Sequence, residues 1–220
     1  MNEISKYLKN SEFSNIAITG NAGAGKTSLL NSLGDDSAIK YSIDWRFIGD
    51  SAYRKEMLDR KANSSISSYV DACNQFNWWD WDIIASDLNK LNNNEPIKFS
   101  GYDRDTGYIN DVQLFNSNKK IIVEGAILGP ESLINNFDII IFIYTLQSIR
   151  FERILSKDLG RRSLNEVLAR FLITEYSESI YYRQLFEYCH DKILTINSSG
   201  DFINTPSDLF NGSYYLPIPM

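Results

Sequence analysis

Short apolar runs recur along the chain, separated by longer stretches of mixed character. The runs cover Asn15–Thr19, Ala38–Ile43, Lys120–Val123, Asp138–Tyr144 and Lys192–Ile196. Runs of this length are typical of buried strands, and the stretches between them are long enough to hold helices. The alternation predicts a parallel sheet that is covered by helices on both faces.

Several of the intervening stretches contain segments with the apolar spacing of a helix. These are Thr27–Leu33, Ser51–Lys61, Asp80–Leu91, Leu146–Lys157 and Leu164–Tyr188, of which the last is long and rich in aromatic residues. Each is predicted to form a helix that packs its apolar face on the sheet.

The segment Ile97–Phe115 departs from this alternation. Two strand-like stretches flank the sequence Arg-Asp-Thr-Gly, in which Gly107 can take the positive φ of a tight turn. We expect a small β-hairpin there. The remaining organisation is predicted to be one domain over residues 1–197, with a lid region at 146–165, and an extended tail at 198–220, where Ser, Gly and Pro become frequent.

The composition limits the classes of function. The 220 residues are 43% hydrophobic and 23% charged, which is enough apolar material for one sizeable core. The formal charge of −6 opposes general attraction to nucleic acid or to an anionic membrane. No apolar run approaches the roughly 20 residues that cross a bilayer, and Cys73 and Cys189 are too few for a disulfide framework. We expect a cytoplasmic protein without nucleic-acid or membrane partners, and a homo-oligomer is compatible with the sequence.

A phosphate-binding motif follows the first predicted strand. The sequence from Gly20 to Thr27 fits G-x-x-x-x-G-K-[ST] and leads directly into a predicted helix. Glycines let the backbone curl around a phosphate with its N–H groups pointing inward, and the helix start adds the positive end of its dipole. Lys26 would neutralise the β and γ phosphates, and Thr27 would hold Mg²⁺. The predicted nucleotide-binding residues are Gly20, Asn21, Ala22, Gly23, Ala24, Gly25, Lys26, Thr27 and Ser28.

Two acidic residues lie at the ends of later predicted strands. Asp44 follows the second apolar run and Glu124 follows the third. Open α/β sheets place their ligands at the carboxyl ends of strands, so Asp44 is a candidate base for an acceptor hydroxyl and, with Glu124, a candidate for the metal site. The alternatives are that Asp44 is a helix cap or turn residue and that Glu124 is a partly solvated acid.

Basic residues are concentrated in the predicted lid region: Arg150, Arg153, Lys157, Arg161 and Arg162. The first four are separated by three, four and four positions, which places them on one face of a helix. On an acidic protein, such a stripe fits a lid that closes on a triphosphate and stabilises the transferred charge. The alternative is a solvated face that is paired with Glu152 and Asp158.

Together, these motifs resemble the uridine kinase and phosphoribulokinase family of P-loop kinases over about Asn15–Asn197. The residues that carry the resemblance are Gly20 to Thr27, Ser-Ile-Asp44-Trp-Arg-Phe, Glu124-Gly125, and the series Arg150, Arg153 and Arg162. The resemblance implies a three-layer α/β/α fold with a mostly parallel five-stranded sheet in the order 2-3-1-4-5, a small hairpin insertion and a helical lid. It also implies ATP and Mg²⁺ as cofactors and Asp44 as the catalytic base near the metal.

The same resemblance assigns the acceptor site. The family has an acid at the entry to a helix and a Tyr-Asp hairpin, and Asp80 and Tyr102 occupy those places. Arg104 would contact a polar or anionic acceptor. Where uridine kinases carry a histidine that contacts the base, this chain has Thr106 and Gly107. The tryptophans near Asp80 are predicted to belong to the core, with a base-stacking platform as the alternative.

The predicted function is transfer of the γ-phosphoryl group of ATP to a hydroxyl of a nucleoside- or sugar-like metabolite, with Arg150, Arg153 and Arg162 as catalytic lid charges and Arg161 on the nucleotide. Two alternatives stay open at this point. One is a kinase of a sugar phosphate or a vitamin precursor. The other is a regulatory or switch protein that binds ATP without phosphorylating a metabolite.

Overall fold

The computed structural model of the protein describes residues 3–33, 38–48, 56, 78–102, 109–115, 119–160 and 162–204. The strands are β1 (Asn15–Thr19), β2 (Ala38–Ser42), β3 (Ile97–Tyr102), β4 (Ile109–Leu114), β5 (Lys120–Glu124), β6 (Ile139–Tyr144) and β7 (Ile193–Asn197). The helices are α1 (Glu3–Asn10), α2 (Lys26–Ser32), α3 (Trp81–Asn92), α4 (Glu131–Ile134), α5 (Gln147–Asp158) and α6 (Leu164–Cys189). Short 3-10 helices cover Ile43–Arg46 and His190–Lys192.

The main sheet has five strands in the order β2-β5-β1-β6-β7. All four pairings are parallel. Glu124, the last residue of β5, is paired with Ser42 at the end of β2 and with Ile18, one residue before the end of β1. Counting only the strands of this sheet along the chain, the order is 2-3-1-4-5. The predicted α/β fold with a mostly parallel five-stranded sheet is therefore confirmed.

Alternate residues of the central strands supply two cores, one on each face of the sheet. In β1, Ala17 packs into a cluster with the apolar sides of α3 and α6, whereas Ile16 and Ile18 pack with α1 and α2. In β6, Phe142 faces the first cluster and Ile141 faces the second. Strands buried on both faces read as continuous apolar runs, which explains why the sequence pattern located them so closely.

The predicted hairpin is also present. Strands β3 and β4 form a separate antiparallel pair in which Ile97 lies opposite Leu114. The pair packs on the 3-10 helix after β2, where a side chain at Gly101 would lie 3.1 Å from the Cβ of Trp45. The turn that holds Gly107 lies outside the described residues, as does the predicted helix Ser51–Lys61 apart from Glu56.

Two helices were not predicted. α4 is a single turn, too short to show a period. α1 has its C-terminal carbonyls bound by a distant residue, because Lys120 Nζ donates to Leu8 O at 2.8 Å, to Ser11 Oγ at 3.0 Å and to Ser11 O. Burial lowers the pKa of this lysine.

The first residues of the predicted tail turn back on the sheet: Phe202 forms an antiparallel bridge with Ile196, and its ring packs edge-on against Tyr7 at 5.5 Å between centroids. In the part of the chain that the structure describes, no helix is long and apolar enough to cross a membrane.

Candidate active site

The phosphate loop connects β1 to α2 through a tightly curled backbone. Gly20, Gly23 and Gly25 have φ values of 146°, 79° and 108°, a region that residues with a side chain rarely adopt. The curl also brings the loop against its neighbours, since a Cβ at Gly20 would lie 2.5 Å from the Ile143 carbonyl oxygen and one at Gly23 would lie 2.9 Å from that of Arg150. Glycine is therefore required by both conformation and space.

The arrangement of the loop fits a nucleotide phosphate. Helix α2 begins at Lys26, so the N–H groups of its first turn lack partners within the helix and are available to an anion. The Lys26 ammonium donates to Gly20 O at 2.7 Å and to Asn21 O at 3.2 Å, which holds it across the loop. Thr27 and Ser28 are exposed in the same turn. These residues match the cradle, cation and hydroxyl that a magnesium-bound triphosphate needs.

The back of the loop is held by an acid that sequence analysis did not identify. Glu178 of α6 is fully buried, and its Oε2 accepts from Asn21 Nδ2 at 3.1 Å and from Ala22 N at 3.0 Å. Burial raises the pKa of this carboxyl, and the nearby Lys26 opposes that rise. A signal was present, because Glu178 is four residues before the buried Tyr182 and seven after the buried Phe171, on the apolar face of the helix.

The basic residues of the lid region do not form one exposed stripe. Arg150 is 6% exposed; its Nε donates to Thr145 O at 2.9 Å and its guanidinium forms a two-point ion pair with Glu175. Arg153 is exposed and donates to Gly23 O at 3.0 Å. Arg150 and Arg153 lie on one helix with the predicted spacing. However, α6 covers Arg150, whereas Arg153 stays exposed and contacts the phosphate loop.

The two other arginines predicted for the lid region are Arg161 and Arg162. Arg162 forms an ion pair with Asp158 at 2.9 Å, as the solvated alternative expected, and both side chains are about a quarter exposed, at 28% and 24%. Arg161 lies outside the described residues. Among the described basic residues of the lid region, Arg153 is the one whose guanidinium bonds to the phosphate loop.

The two predicted acids lie beside the loop at the ends of neighbouring strands. Glu124, 9% exposed, accepts from Ser42 Oγ at 2.7 Å, and the following amide, Gly125 N, donates to Ile18 O at 3.1 Å. Asp44 is half-buried in the 3-10 helix that begins one residue after β2. The register brings the carboxyl ends of β2, β5 and β1 together, so Asp44, Glu124 and the phosphate loop lie at the same end of the sheet.

No group of three or more His, Cys, Asp or Glu side chains within the described ranges is arranged to hold a metal ion. A Mg²⁺ ion bound with a nucleotide usually takes one or two protein ligands and completes its shell with phosphates and water. Thr27, Glu124 and Asp44 supply the hydroxyl and the carboxylates that such a site would use.

A buried network fixes the residues around Asp44. Asp87 of α3 is 4% exposed and accepts from Tyr41 OH at 2.8 Å and from Arg46 Nε at 2.7 Å. The Arg46 guanidinium carbon also lies 3.4 Å from the ring centre of Phe99 on the hairpin. Burial is the main cause that raises the pKa of the Tyr41 phenol, followed by Asp87. The strand end, α3 and the hairpin are thereby tied together.

Some of the residues predicted for the acceptor site lie within the described part of the chain. Asp80 is the N-cap of α3 and accepts from Ile83 N at 3.0 Å, which is the helix-start role that its type favours. Trp79 is 6% exposed and belongs to the core, as expected for the tryptophans near Asp80. Tyr102 is described by its backbone alone, and Arg104 lies outside the described residues.

Comparison with known proteins gives consistent matches. Residues 15–190 match the model of the phosphoribulokinase / uridine kinase family. A uridine kinase from Borrelia duttonii (strain Ly) is 30% identical over 180 residues, which cover 76% of this chain and 78% of that protein.

Solved structures share the fold at lower sequence identity. A protein provisionally named a fructose transport system kinase, from Silicibacter sp. TM1040, has a TM-score of 0.56 at 14% identity, covering 80% of this chain and 91% of that one. A protein named a possible uridine kinase, from Bacillus stearothermophilus, has a TM-score of 0.50 at 16% identity, covering 86% and 89%. These two matches support the three-layer arrangement around the sheet.

Proposed function

Because the chain belongs to the phosphoribulokinase / uridine kinase family, we propose that it is an ATP-dependent kinase that phosphorylates a hydroxyl group of a nucleoside- or sugar-like metabolite. One observation carries this proposal. The phosphate loop, Glu124 and Asp44 lie at the carboxyl ends of three adjacent parallel strands. That edge therefore offers an anion cradle, a metal-binding acid and a base in one place.

On the donor side, the chain's own residues hold and screen the phosphates. The amides at the start of α2 and the Lys26 ammonium would bind the phosphate oxygens, and Thr27 with Glu124 would hold the metal. Bound Mg·ATP would supply the phosphoryl group and offset its charge. Arg153 already bonds to the loop carbonyl of Gly23, so its guanidinium is within reach of charge that develops at the loop.

Arg150 and Arg162 were predicted to share that catalytic role. We now propose that Arg150 acts by holding the lid region to α6, because its guanidinium is buried against Glu175. Arg162 is engaged with Asp158, and its contact with phosphate would require that this exposed pair open. The charge that reaches the nucleotide would then come mainly from Lys26 and Arg153.

On the acceptor side, we propose Asp44 as the base. Asp44 is half-buried and follows β2, the strand that pairs with β5, which supports this role because a carboxylate there could align an acceptor hydroxyl and take its proton. Asp80 and Tyr102 are proposed to line the acceptor site on the strength of their places in the family pattern. Arg104, two residues beyond Tyr102, would contact a polar or anionic acceptor. The only histidine is His190, at the far end of α6, so no histidine on the hairpin contacts a base.

The proposal is tested by acceptor-dependent ADP release. Purified protein with Mg·ATP would be assayed against nucleosides, pentoses, phosphorylated sugars and vitamin precursors, with Lys26→Ala as the matched inactive control. We expect one class to raise ADP release at least about tenfold over the acceptor-free rate. Tight ADP binding with no stimulation by any class would favour the regulatory alternative. The class that responds would also decide between a nucleoside, a sugar and a sugar phosphate.

A further inference from the structure

Phosphoryl transfer does not by itself account for the acid behind the phosphate loop. Glu178 is fully buried and accepts from the Ala22 amide of a loop that is proposed to bind an anion. A buried carboxylate is retained only when its oxygens are well bonded. Here the donors belong to the loop itself, which ties the acid to the geometry of the loop.

The two hydrogen bonds reach adjacent residues near the start of the loop. One oxygen of Glu178 accepts both the side-chain amide of Asn21 and the backbone N–H of Ala22. The Ala22 N–H is consequently used for a contact with α6 and not for a phosphate. The Ala24 N–H is also engaged, because it donates to Asn21 O at 3.0 Å. An anion would therefore be bound by the amides at the start of α2 and by Lys26.

α6 also contacts the phosphate loop indirectly, through Glu175, which lies about one turn before Glu178. Glu175 pairs with Arg150, and the backbone of Arg150 packs against Gly23 so closely that a Cβ there would lie 2.9 Å from its carbonyl oxygen. Residues 175 and 178 are three apart and share one face of α6. The helix therefore fixes the loop at two points, directly through Glu178 and through Arg150.

We propose that Glu178 is a positioning residue that sets the phosphate loop in its binding shape before nucleotide arrives. This inference rests on the proposed function only in that the loop must bind a nucleotide. Its effect is on nucleotide affinity, because a loop that is already ordered loses less conformational freedom when it binds.

The test compares Glu178→Ala and Glu178→Gln with the wild type and with Glu187→Ala, which makes the same truncation at an exposed position of α6. Calorimetry would give the dissociation constant for Mg·ADP, and hydrogen exchange would report on the amides of residues 20–28. We expect Glu178→Ala to weaken ADP binding about tenfold or more and to expose the Ala22 amide to exchange.

Glu178→Gln tests whether the affinity for ADP depends on the position of the hydrogen-bond acceptor or on its negative charge. The Gln oxygen can still accept from Ala22 N, and Asn21 can turn its amide to match, so Glu178→Gln should keep ADP affinity within about threefold and keep the amide protected. Glu187→Ala should behave as the wild type. If Glu178→Ala does not fold, Asn21→Ala replaces it, with an expected loss of about threefold because one of the two bonds remains.

Three results would contradict the positioning role of Glu178 or the proposed function. A folded Glu178→Ala, or an Asn21→Ala variant, with wild-type ADP affinity and unchanged exchange would overturn the positioning role. A loss beyond tenfold in Glu178→Gln with the Ala22 amide still protected would overturn it as well, because charge and not position would then matter. A wild type that binds no ADP would instead refute the proposed function, and the exchange comparison would still test the loop contact.

Discussion

The donor and acceptor sides of the site are built in different ways. The donor side is a stretch of backbone, Gly20 to Thr27, whose shape is set by glycine conformations and by the start of α2. The acceptor side, around Asp44, is set by side chains from separate elements: Tyr41 and Arg46 on Asp87, and Arg46 on Phe99. A backbone cradle recognises any phosphate, whereas a side-chain network can be altered residue by residue.

The two sides also differ in how buried charge is used. On the proposed donor side, the buried Glu178 bonds to the loop, and the partly buried Glu175 bonds to Arg150 of the lid region. On the proposed acceptor side, the buried Asp87 holds Arg46 in the segment that carries Asp44. Under the proposed function, nucleotide binding would depend on Glu178 and Glu175 and acceptor alignment on Asp87, so substitutions on the two sides should affect different measurements.

The largest expected effect is on the acceptor side. Asp44→Asn keeps the size of the side chain but removes the proton acceptor, so we expect kcat to fall about 10³-fold. The dissociation constant for ADP should change less than about twofold, because Asn adds no steric conflict at the loop. Single-turnover kinetics and calorimetry on the same preparation measure the two quantities.

Near-normal turnover in Asp44→Asn would remove Asp44 from the role of base. A parallel loss of ADP binding and turnover would show instead that the residue supports the donor side, and the separation of the two sides would fail at this point. Lys26→Ala provides the opposite pattern for comparison, because it should weaken the binding of ADP itself.

The next effect concerns stability on the donor side. Arg150→Met keeps the aliphatic stem but leaves Glu175 unpaired, and the side chains of this pair are only 7% and 12% exposed. Breaking a buried pair from one side should lower the free energy of unfolding by about 3 kcal/mol. Urea denaturation followed by tryptophan fluorescence measures the loss.

The double variant Arg150→Met with Glu175→Met is the control for that loss. Because it removes both charges, it should recover at least about half of the lost free energy of unfolding. If the single variant is as stable as the wild type, the pair is not what holds the lid region to α6. An unrecovered loss in the double variant would assign the effect to packing against Phe171, whose ring centre lies 5.8 Å from the guanidinium carbon.

The phosphate loop of the donor side could be predicted from sequence because the residues that specify it are adjacent along the chain. Eight consecutive residues specify the loop, and the flanking strand and helix were located to within one residue of their observed ends. The central strands β1, β5 and β6 were found for a related reason, since burial on both faces makes each an almost continuous apolar run. Only the order of the strands needed the family resemblance.

The buried acids that hold the site in place could not be predicted from sequence, because each of them bonds to a residue that is distant along the chain. Glu178 is 156 residues from Ala22, and Asp87 is 41 residues from Arg46. Helical spacing placed Arg150 and Arg153 on neighbouring positions of one helix, but it does not determine which part of that helix a second helix covers. That is why a predicted exposed stripe is divided into one buried and one exposed arginine.

The smallest expected effect concerns Asp87, the buried acid that holds Arg46 near Asp44. Asp87→Asn keeps one acceptor oxygen for Tyr41 but loses the charge that holds Arg46. Loss of a charge-assisted hydrogen bond of about 1.5 kcal/mol should loosen the segment that carries Asp44 and the contact with Phe99. We expect kcat/KM for the acceptor to fall about tenfold, which that energy corresponds to, while the dissociation constant for ADP stays within about twofold.

The matched control is Asp191→Asn, the same substitution at an exposed residue beyond α6. It should leave both quantities unchanged. If Asp87→Asn weakens ADP binding as much as it lowers acceptor turnover, the network supports the whole sheet edge, and the two sides are not independent. If neither quantity changes, Arg46 is held by Phe99 alone, and the position of Asp44 is set by the backbone of the 3-10 helix, which would make the acceptor side as locally determined as the phosphate loop.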